Sequence, residues 1–152
     1  MPLSIVSVGK KHEPWVSEGI ELYQKRLKVP FLLEWVLFPH SSLDGLAARQ
    51  EESERILSRL DTYDHVVLLD ERGKTLDSPA FSRLLQERLD RSQKIAIVIG
   101  GAFGVTDELR NKADFVWSLS PLVYPHQLVR LILTEQLYRA QQIALGGSYH
   151  HE

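Results

Sequence analysis

The sequence contains no cysteine, and this absence limits the chemistry that the protein can perform. None of the 152 residues can form a disulfide or act as a thiolate nucleophile. A chain without cysteine fits a reducing compartment, so we expect a cytoplasmic protein.

Several other patterns are missing as well. No apolar run approaches the length of a membrane span, and the N-terminus has no signal-peptide pattern. The six histidines form neither H-E-x-x-H nor another ligand spacing, so we expect no metal. A P-loop is absent, and Ile99 occupies the position where a dinucleotide fingerprint needs glycine.

The chain also carries little net charge. The formal charge is −2 and the sequence pI is about 6.3. A protein that binds free RNA is usually basic, because neutralised phosphates supply most of the non-specific affinity. If the substrate is RNA, we therefore expect it to be bound within a structured particle.

Strands and helices alternate along the chain. Strands are predicted at 3–8, 31–38, 65–69, 94–99 and 115–118 from short apolar or alternating runs. Helices are predicted at 14–27, 45–60, 79–90, directly after Thr106, and at 125–145. This order indicates an α/β fold with a mostly parallel sheet flanked by helices, in a single domain of residues 1–152.

A glycine-rich turn follows the most apolar strand. The strand sequence Ile-Ala-Ile-Val-Ile ends at Ile99 and continues as Gly100-Gly101-Ala-Phe-Gly104. In a parallel sheet, ligands bind at the carboxyl ends of the strands, and glycine allows a close approach to the backbone. The stretch fits a small-molecule site, although a tight turn without ligand would explain it equally.

The last loop and helix are unusually apolar. The loop 118–124 is nearly uncharged, so we expect it to be packed and not exposed. The helix 125–145 carries apolar residues on most of its circumference, which indicates burial on more than one side, and a second copy of the chain would provide that cover. His126, Arg130 and Thr134 share one face of it.

Three motifs in this order resemble the RlmH family of SPOUT-class methyltransferases. They are Ile-Gly-Gly-x-x-Gly at 99–104, Ser-Leu-Ser at 118–120 before Pro-His-x-x-x-Arg at 125–130, and Glu-Gln-x-Tyr-Arg-Ala at 135–140 with a Tyr-His tail at 149–150. The resemblance covers essentially the whole chain. It implies a methyltransferase that uses S-adenosylmethionine and modifies N3 of a pseudouridine in helix 69 of 23S ribosomal RNA.

The resemblance also implies features that the residues alone do not predict. SPOUT proteins form a trefoil knot near the C-terminus, and members of this family form homodimers. The implied cofactor contacts are Leu69, Gly100, Leu119, Ser120, Pro121, Leu122, Val123 and Tyr124. His151 follows His150 where the family commonly has a basic residue, which would weaken tail contacts with phosphate.

Four residues are the candidates for catalysis: His126, Arg130, Tyr149 and His150. The RNA contacts are assigned to Arg130, Arg139, Tyr149 and His150. Histidine suits the role of proton acceptor because its unperturbed pKa lies near neutrality, whereas arginine stays charged and suits phosphate or uracil oxygen.

Alternative interpretations remain open at this point. Arg139 can simply pair with Glu135, Tyr138 can be a core residue, and His150 can lie in a frayed tail. A SPOUT enzyme acting on transfer RNA and a non-catalytic α/β module that binds a nucleotide are the alternative functions.

Overall fold

A computed structural model describes residues 2–151 of the chain. The strands are β1 (Leu3–Val8), β2 (Leu33–Phe38), β3 (His65–Thr75), β4 (Ile95–Ile99) and β5 (Phe115–Ser118). The helices are α1 (Pro14–Gln24), α2 (Gly45–Leu60), α3 (Ser78–Asp90), α4 (Asp107–Lys112) and α5 (His126–Ala144).

All five strands form one parallel sheet in the order β2-β1-β4-β3-β5. The predicted α/β class with a mostly parallel sheet flanked by helices is therefore confirmed. The central strand is β4, whose residues are all buried, which explains its continuous apolar sequence. The trefoil knot implied by the resemblance stays a prediction.

Alternate residues of β4 pack into two different hydrophobic cores. Ile95, Ile97 and Ile99 face a core built with α3 and α5, whereas Ala96 and Val98 face a core built with α2 and α4. Helix α1 lies beside α5 and packs against it. The sheet is thus covered on both faces by this chain's own helices.

This packing bears on the prediction that α5 is buried on more than one side. Both α1 and α3 contact α5, so much of its apolar circumference is covered within one chain. Leu131 of α5 lies against Gly19 of α1, where an added Cβ would be 2.7 Å from Leu131 Cδ1. The composition of the helix does not by itself require a second copy.

The sequence predicts most boundaries within a few residues, with one exception. The predicted strand ends at residue 69, but β3 continues to Thr75 after an irregularity and pairs again with β5. The N-cap of α3 is Asp77, whose carboxylate accepts the Ala80 N–H, while the Ser78 hydroxyl donates to Gln136. Glu152, the last residue of the predicted tail, lies outside the described residues.

Two features are absent from residues 2–151. No helix there has the length and apolar character needed to span a bilayer. Within the same residues, no group of three or more potential ligands is arranged to hold a metal ion.

Candidate active site

A pocket lies at the carboxyl ends of β4 and β5, beside the irregularity in the middle of β3. Leu69 of β3 is level with Ile99 of β4 and Trp117 of β5, so the irregular segment after Leu69 and the loops after β4 and β5 meet at one edge of the sheet. The lining residues are Leu69, Asp70, Glu71, Ile99, Gly100, Gly101, Gly104, Val105, Leu119, Ser120, Leu122, Val123, Tyr124, His126 and Val129. The fold therefore brings together every predicted cofactor residue except the exposed Pro121, which is not among those lining residues.

The glycine turn forms one wall of the pocket. Gly104 has a φ of +81°, and its N–H donates to the Gly101 carbonyl at 3.0 Å. A Cβ on Gly100 would lie only 2.6 Å from Cγ1 of Val105, another lining residue. A side chain at position 100 would therefore change the shape of the pocket.

The loop 118–124 forms the opposite wall. Ser118 Oγ donates to the Ser120 carbonyl, and Ser120 Oγ accepts the Leu122 N–H at 3.0 Å. The loop was expected to be packed, but Leu122 and Val123 are 67% and 78% exposed. Leu119 and Tyr124 do pack on the core. The exposed pair gives the pocket an apolar surface that a bound planar ring could cover.

His126, the first residue of α5, lines the same pocket. Burial lowers the pKa of His126 below its usual value, and the Arg130 charge lowers it further, as does His40. Glu52 and Glu71 act in the opposite direction. A neutral imidazole at physiological pH retains a free nitrogen lone pair, so His126 can accept a proton.

Arg130 is fully buried, at 0% exposure, and does not reach the surface. Its Nη2 donates to the carbonyls of Val8 and Gly9 at 2.9 and 3.0 Å and to Ser7 Oγ, and its Nη1 donates to the Lys11 carbonyl. Burial lowers its pKa. Arg130 was predicted to contact RNA, but in this arrangement it holds the connection between β1 and α1.

The tail docks on α5 through Glu135. Tyr149 Oη donates to Glu135 Oε2 at 2.9 Å, and Arg139 Nη2 donates to the same oxygen at 2.8 Å. Arg139 Nη1 lies 3.1 Å from His150 Nδ1, and its guanidinium stacks over the Tyr149 ring. Burial raises the pKa of Tyr149, as does its hydrogen bond to Glu135. Glu135, which the sequence indicated only as the ion-pair partner of Arg139, connects the whole cluster.

The tail cluster borders a second cavity next to the first. This cavity is lined by Leu76, Asp77, Ser78, Pro79, Trp117, Leu119, Tyr124, Ile132, Gln136 and His150. Leu119 and Tyr124 line both cavities. The predicted catalytic residues therefore fall into three places: His126 at the first pocket, His150 and Tyr149 at or beside the second cavity, and Arg130 in the interior.

Sequence reasoning missed the polar residues that fix the edge of the first pocket. Asp70 accepts hydrogen bonds from Arg72 and forms an ion pair with Arg110 at 2.7 Å. Burial opposes its ionisation, but the bonds from Arg72 and Arg110 lower the pKa of Asp70 to about 2. Its partner Arg110 is far along the chain, so no local motif indicated the pair.

Comparisons with known proteins agree with this fold. The family model described as a predicted SPOUT methyltransferase matches residues 1–150. Among solved structures, a probable methylase family protein from Haemophilus influenzae Rd KW20 superposes with a TM-score of 0.58 at 13% identity, covering 99% of this chain and 70% of that one. A putative methylase family protein from Neisseria gonorrhoeae has a TM-score of 0.54 at 12% identity, with 99% and 86% coverage. The two structures support the fold.

Curated relatives are similar over nearly their full length. Proteins named ribosomal RNA large subunit methyltransferase H are 39% identical in Desulfitobacterium hafniense (strain DSM 10664 / DCB-2), with 99% of each chain covered, and 37% identical in Hahella chejuensis, with 100% of each covered. The protein of that name from Parasynechococcus marenigrum is 43% identical over 96% of this chain and 94% of its own. The chain therefore belongs to the SPOUT methyltransferase family, in the group of these relatives, as the resemblance implied.

Proposed function

We propose that this protein transfers a methyl group from S-adenosylmethionine to N3 of a pseudouridine in helix 69 of 23S ribosomal RNA, on the assembled ribosome. The observation that carries the proposal is the pocket at the ends of β4 and β5, beside the irregularity of β3, where the glycine turn, the 119–124 loop and His126 meet. Membership of the SPOUT methyltransferase family supplies the reaction class. The names of the relatives supply the substrate class.

The pocket residues suit the proposed cofactor. Leu122 and Val123 offer exposed apolar surface for an adenine, and the backbone at Gly100 and Ser120 offers polar groups for its edges. When bound, S-adenosylmethionine supplies a methyl group on a positively charged sulfur.

The reaction needs a proton acceptor because N3 of pseudouridine carries a hydrogen. We assign this role to His126: its neutral imidazole accepts the N3 proton as the N3 lone pair forms the bond to the methyl carbon and the bond from carbon to sulfur breaks. Holding the uracil ring in line with the carbon–sulfur bond accounts for the rest of the rate enhancement. Arg130 acts indirectly by fixing the segment that leads from β1 to α1.

We assign RNA binding to the tail and its partners on α5. Tyr149, His150 and Arg139 combine aromatic and cationic groups in one cluster, as surfaces that stack and neutralise single-stranded RNA do. We also propose a homodimer, in which the tail of one copy can reach the pocket of the other.

The test is methyl transfer to four substrates: whole ribosomes, isolated large subunits, free 23S ribosomal RNA and transfer RNA. We expect product on whole ribosomes, identified by mass spectrometry as N3-methylpseudouridine in helix 69, and little on free RNA, because a chain of pI about 6.3 binds naked RNA weakly. Equal rates on free 23S RNA would contradict the ribosomal substrate. Methylation of transfer RNA alone would favour the alternative enzyme, and no transfer to any RNA would favour a non-catalytic module.

The assignment of the pocket has its own test. A valine at position 100 would displace Val105, because even the Cβ would lie 2.6 Å from Val105 Cγ1. We expect Gly100→Val to lose S-adenosylmethionine binding in calorimetry while keeping a wild-type far-UV circular dichroism spectrum. A folded Gly100→Val variant with wild-type affinity would place the cofactor elsewhere.

A further inference from the structure

Helix α2 does not line the cofactor pocket, yet one of its faces holds the glycine turn that does. Glu52 and Ser53 come three and four residues after Arg49 on α2, so both lie next to Arg49 on the helix surface. Each of them contacts the segment 100–106 that follows β4.

Arg49 and Ser53 bind the backbone of this segment directly. Arg49 Nε donates to the Phe103 carbonyl at 2.7 Å, at the tip of the turn. Ser53 Oγ accepts the N–H of Thr106 at 3.1 Å, and Thr106 in turn caps α4 through Leu109. The turn is therefore fastened at its tip and at its exit.

Glu52 supports the turn by occupying space. Its side chain is buried, with the residue 3% exposed, and Oε2 accepts the Ser41 N–H at 2.9 Å. Oε1 has no hydrogen-bond partner among residues 2–151 and lies where a Cβ on Gly101 would be. Gly101 has no positive φ in this structure, so the carboxylate of Glu52, and not the backbone conformation, is what excludes a side chain at this position.

We propose that α2 is the positioning element of the methyltransferase pocket: Arg49, Glu52 and Ser53 fix the shape of the turn 100–106, and through it the affinity for cofactor. None of the three residues is expected to touch the cofactor. The inference rests on the proposed function for its ligand, while the ordering of the turn can be measured without any ligand.

The first experiment compares Arg49→Ala with Arg59→Ala, an exposed arginine near the end of the same helix. Calorimetry with S-adenosylmethionine should show about fivefold weaker binding for Arg49→Ala, because one hydrogen bond to the turn is lost, and unchanged binding for Arg59→Ala. Hydrogen exchange should be faster at the amides 100–106 in Arg49→Ala without ligand, with the unfolding midpoint nearly unchanged.

The second experiment tests the contact between Glu52 and Gly101. Gly101→Ala should weaken S-adenosylmethionine binding about tenfold or more, since its methyl collides with Glu52 and displaces the turn. Adding Glu52→Ala should restore part of that affinity, because it removes the colliding carboxylate. A methyl that blocked the cofactor directly would not be rescued in this way. Glu54→Ala, on the exposed side of α2, is the control for Glu52→Ala.

The outcomes distinguish this inference from the proposed function. Wild-type affinity and unchanged exchange in Arg49→Ala would overturn the role of α2, and an equally impaired Gly101→Ala/Glu52→Ala double variant would overturn the contact between Glu52 and Gly101. If the wild-type protein bound no S-adenosylmethionine, the proposed function would fail. The exchange rates at 100–106 would then still decide whether α2 orders the turn.

Discussion

His126 is the residue on which the proposed chemistry depends most directly. It lines the pocket, and burial together with the charge of Arg130 lowers its pKa, so the imidazole is neutral at physiological pH. A histidine in this state is ready to accept a proton without first losing one.

We expect His126→Ala to lower the single-turnover rate of methyl transfer at least about 100-fold, the usual range for a positioned base. Its affinity for S-adenosylmethionine should change little. In the wild type, the rate should fall as the pH decreases through the lowered pKa of His126 and reach a plateau above it. A normal rate in His126→Ala, or a wild-type rate independent of pH, would exclude His126 as the base.

Asp70 links the irregular segment of β3 to α4, and its ionisation makes the stability depend on pH. Its pKa is about 2 in the folded protein, against the usual aspartate value of 3.8 in the unfolded chain. The carboxylate of Asp70 therefore binds a proton more readily in the unfolded chain than in the folded protein. The contribution of Asp70 to stability is fully present above pH 3.8 and is lost as the pH falls toward 2.

We expect Asp70→Asn to lower the free energy of unfolding at pH 7 by roughly 1 kcal/mol, because its ion pair with Arg110 is only partly shielded from solvent. The difference from wild type should disappear near pH 2. Urea unfolding across this pH range measures it, and Asp61→Asn, at a carboxylate that is 87% exposed, is the matched control. An Asp70→Asn effect that persists unchanged at pH 2 would assign the loss to packing and not to charge.

At the scale of elements, local patterns predicted the strands and helices but not what they contact. The run Ile95–Ile99 could only be a buried strand, and the glycines after it correctly marked the edge where the pocket lies. Arg130 could not be assigned from the sequence, because the carbonyls that it binds belong to residues 8–11 at the other end of the chain. Long-range contacts of this kind depend on the order of strands in the sheet. The local periodicity of apolar residues does not specify that order.

The tail is a short element whose role can be separated from the chemistry. Its residues contact Glu135 and Arg139 of α5 and border the second cavity, not the first. We expect deletion of residues 149–152 to raise the KM for the ribosome about tenfold or more, through loss of stacking and charge, with little change in S-adenosylmethionine affinity. Tyr149→Phe, which keeps the ring and removes only the hydroxyl bond to Glu135, should have a smaller effect. A deletion that abolished the single-turnover rate at saturating ribosome would instead place the proton acceptor in the tail.

At the scale of the whole molecule, the helices on one face of the sheet leave an apolar surface exposed. On α1, Trp15 and Leu22 are 52% and 41% exposed and lie at helical spacing on one side. Leu145, directly after α5, is 64% exposed. Because α1 packs against α5, the exposed side of α1 adjoins α5, the helix for which the sequence predicted contact with a second copy of the chain.

The homodimer is therefore predicted to form through the surface of α1 and α5 that the chain's own helices leave uncovered. Sedimentation velocity at micromolar concentration should give the mass of two chains for the wild type. Leu22→Lys should shift the equilibrium toward a folded monomer, because it places a charge in an apolar interface. Leu46→Lys is the matched control: this leucine is 73% exposed on α2, which covers the opposite face of the sheet, so the dimer should persist. A wild-type protein that sediments as a stable monomer would contradict the dimer. Dissociation by Leu46→Lys but not by Leu22→Lys would instead place the interface on the face of the sheet that α2 covers.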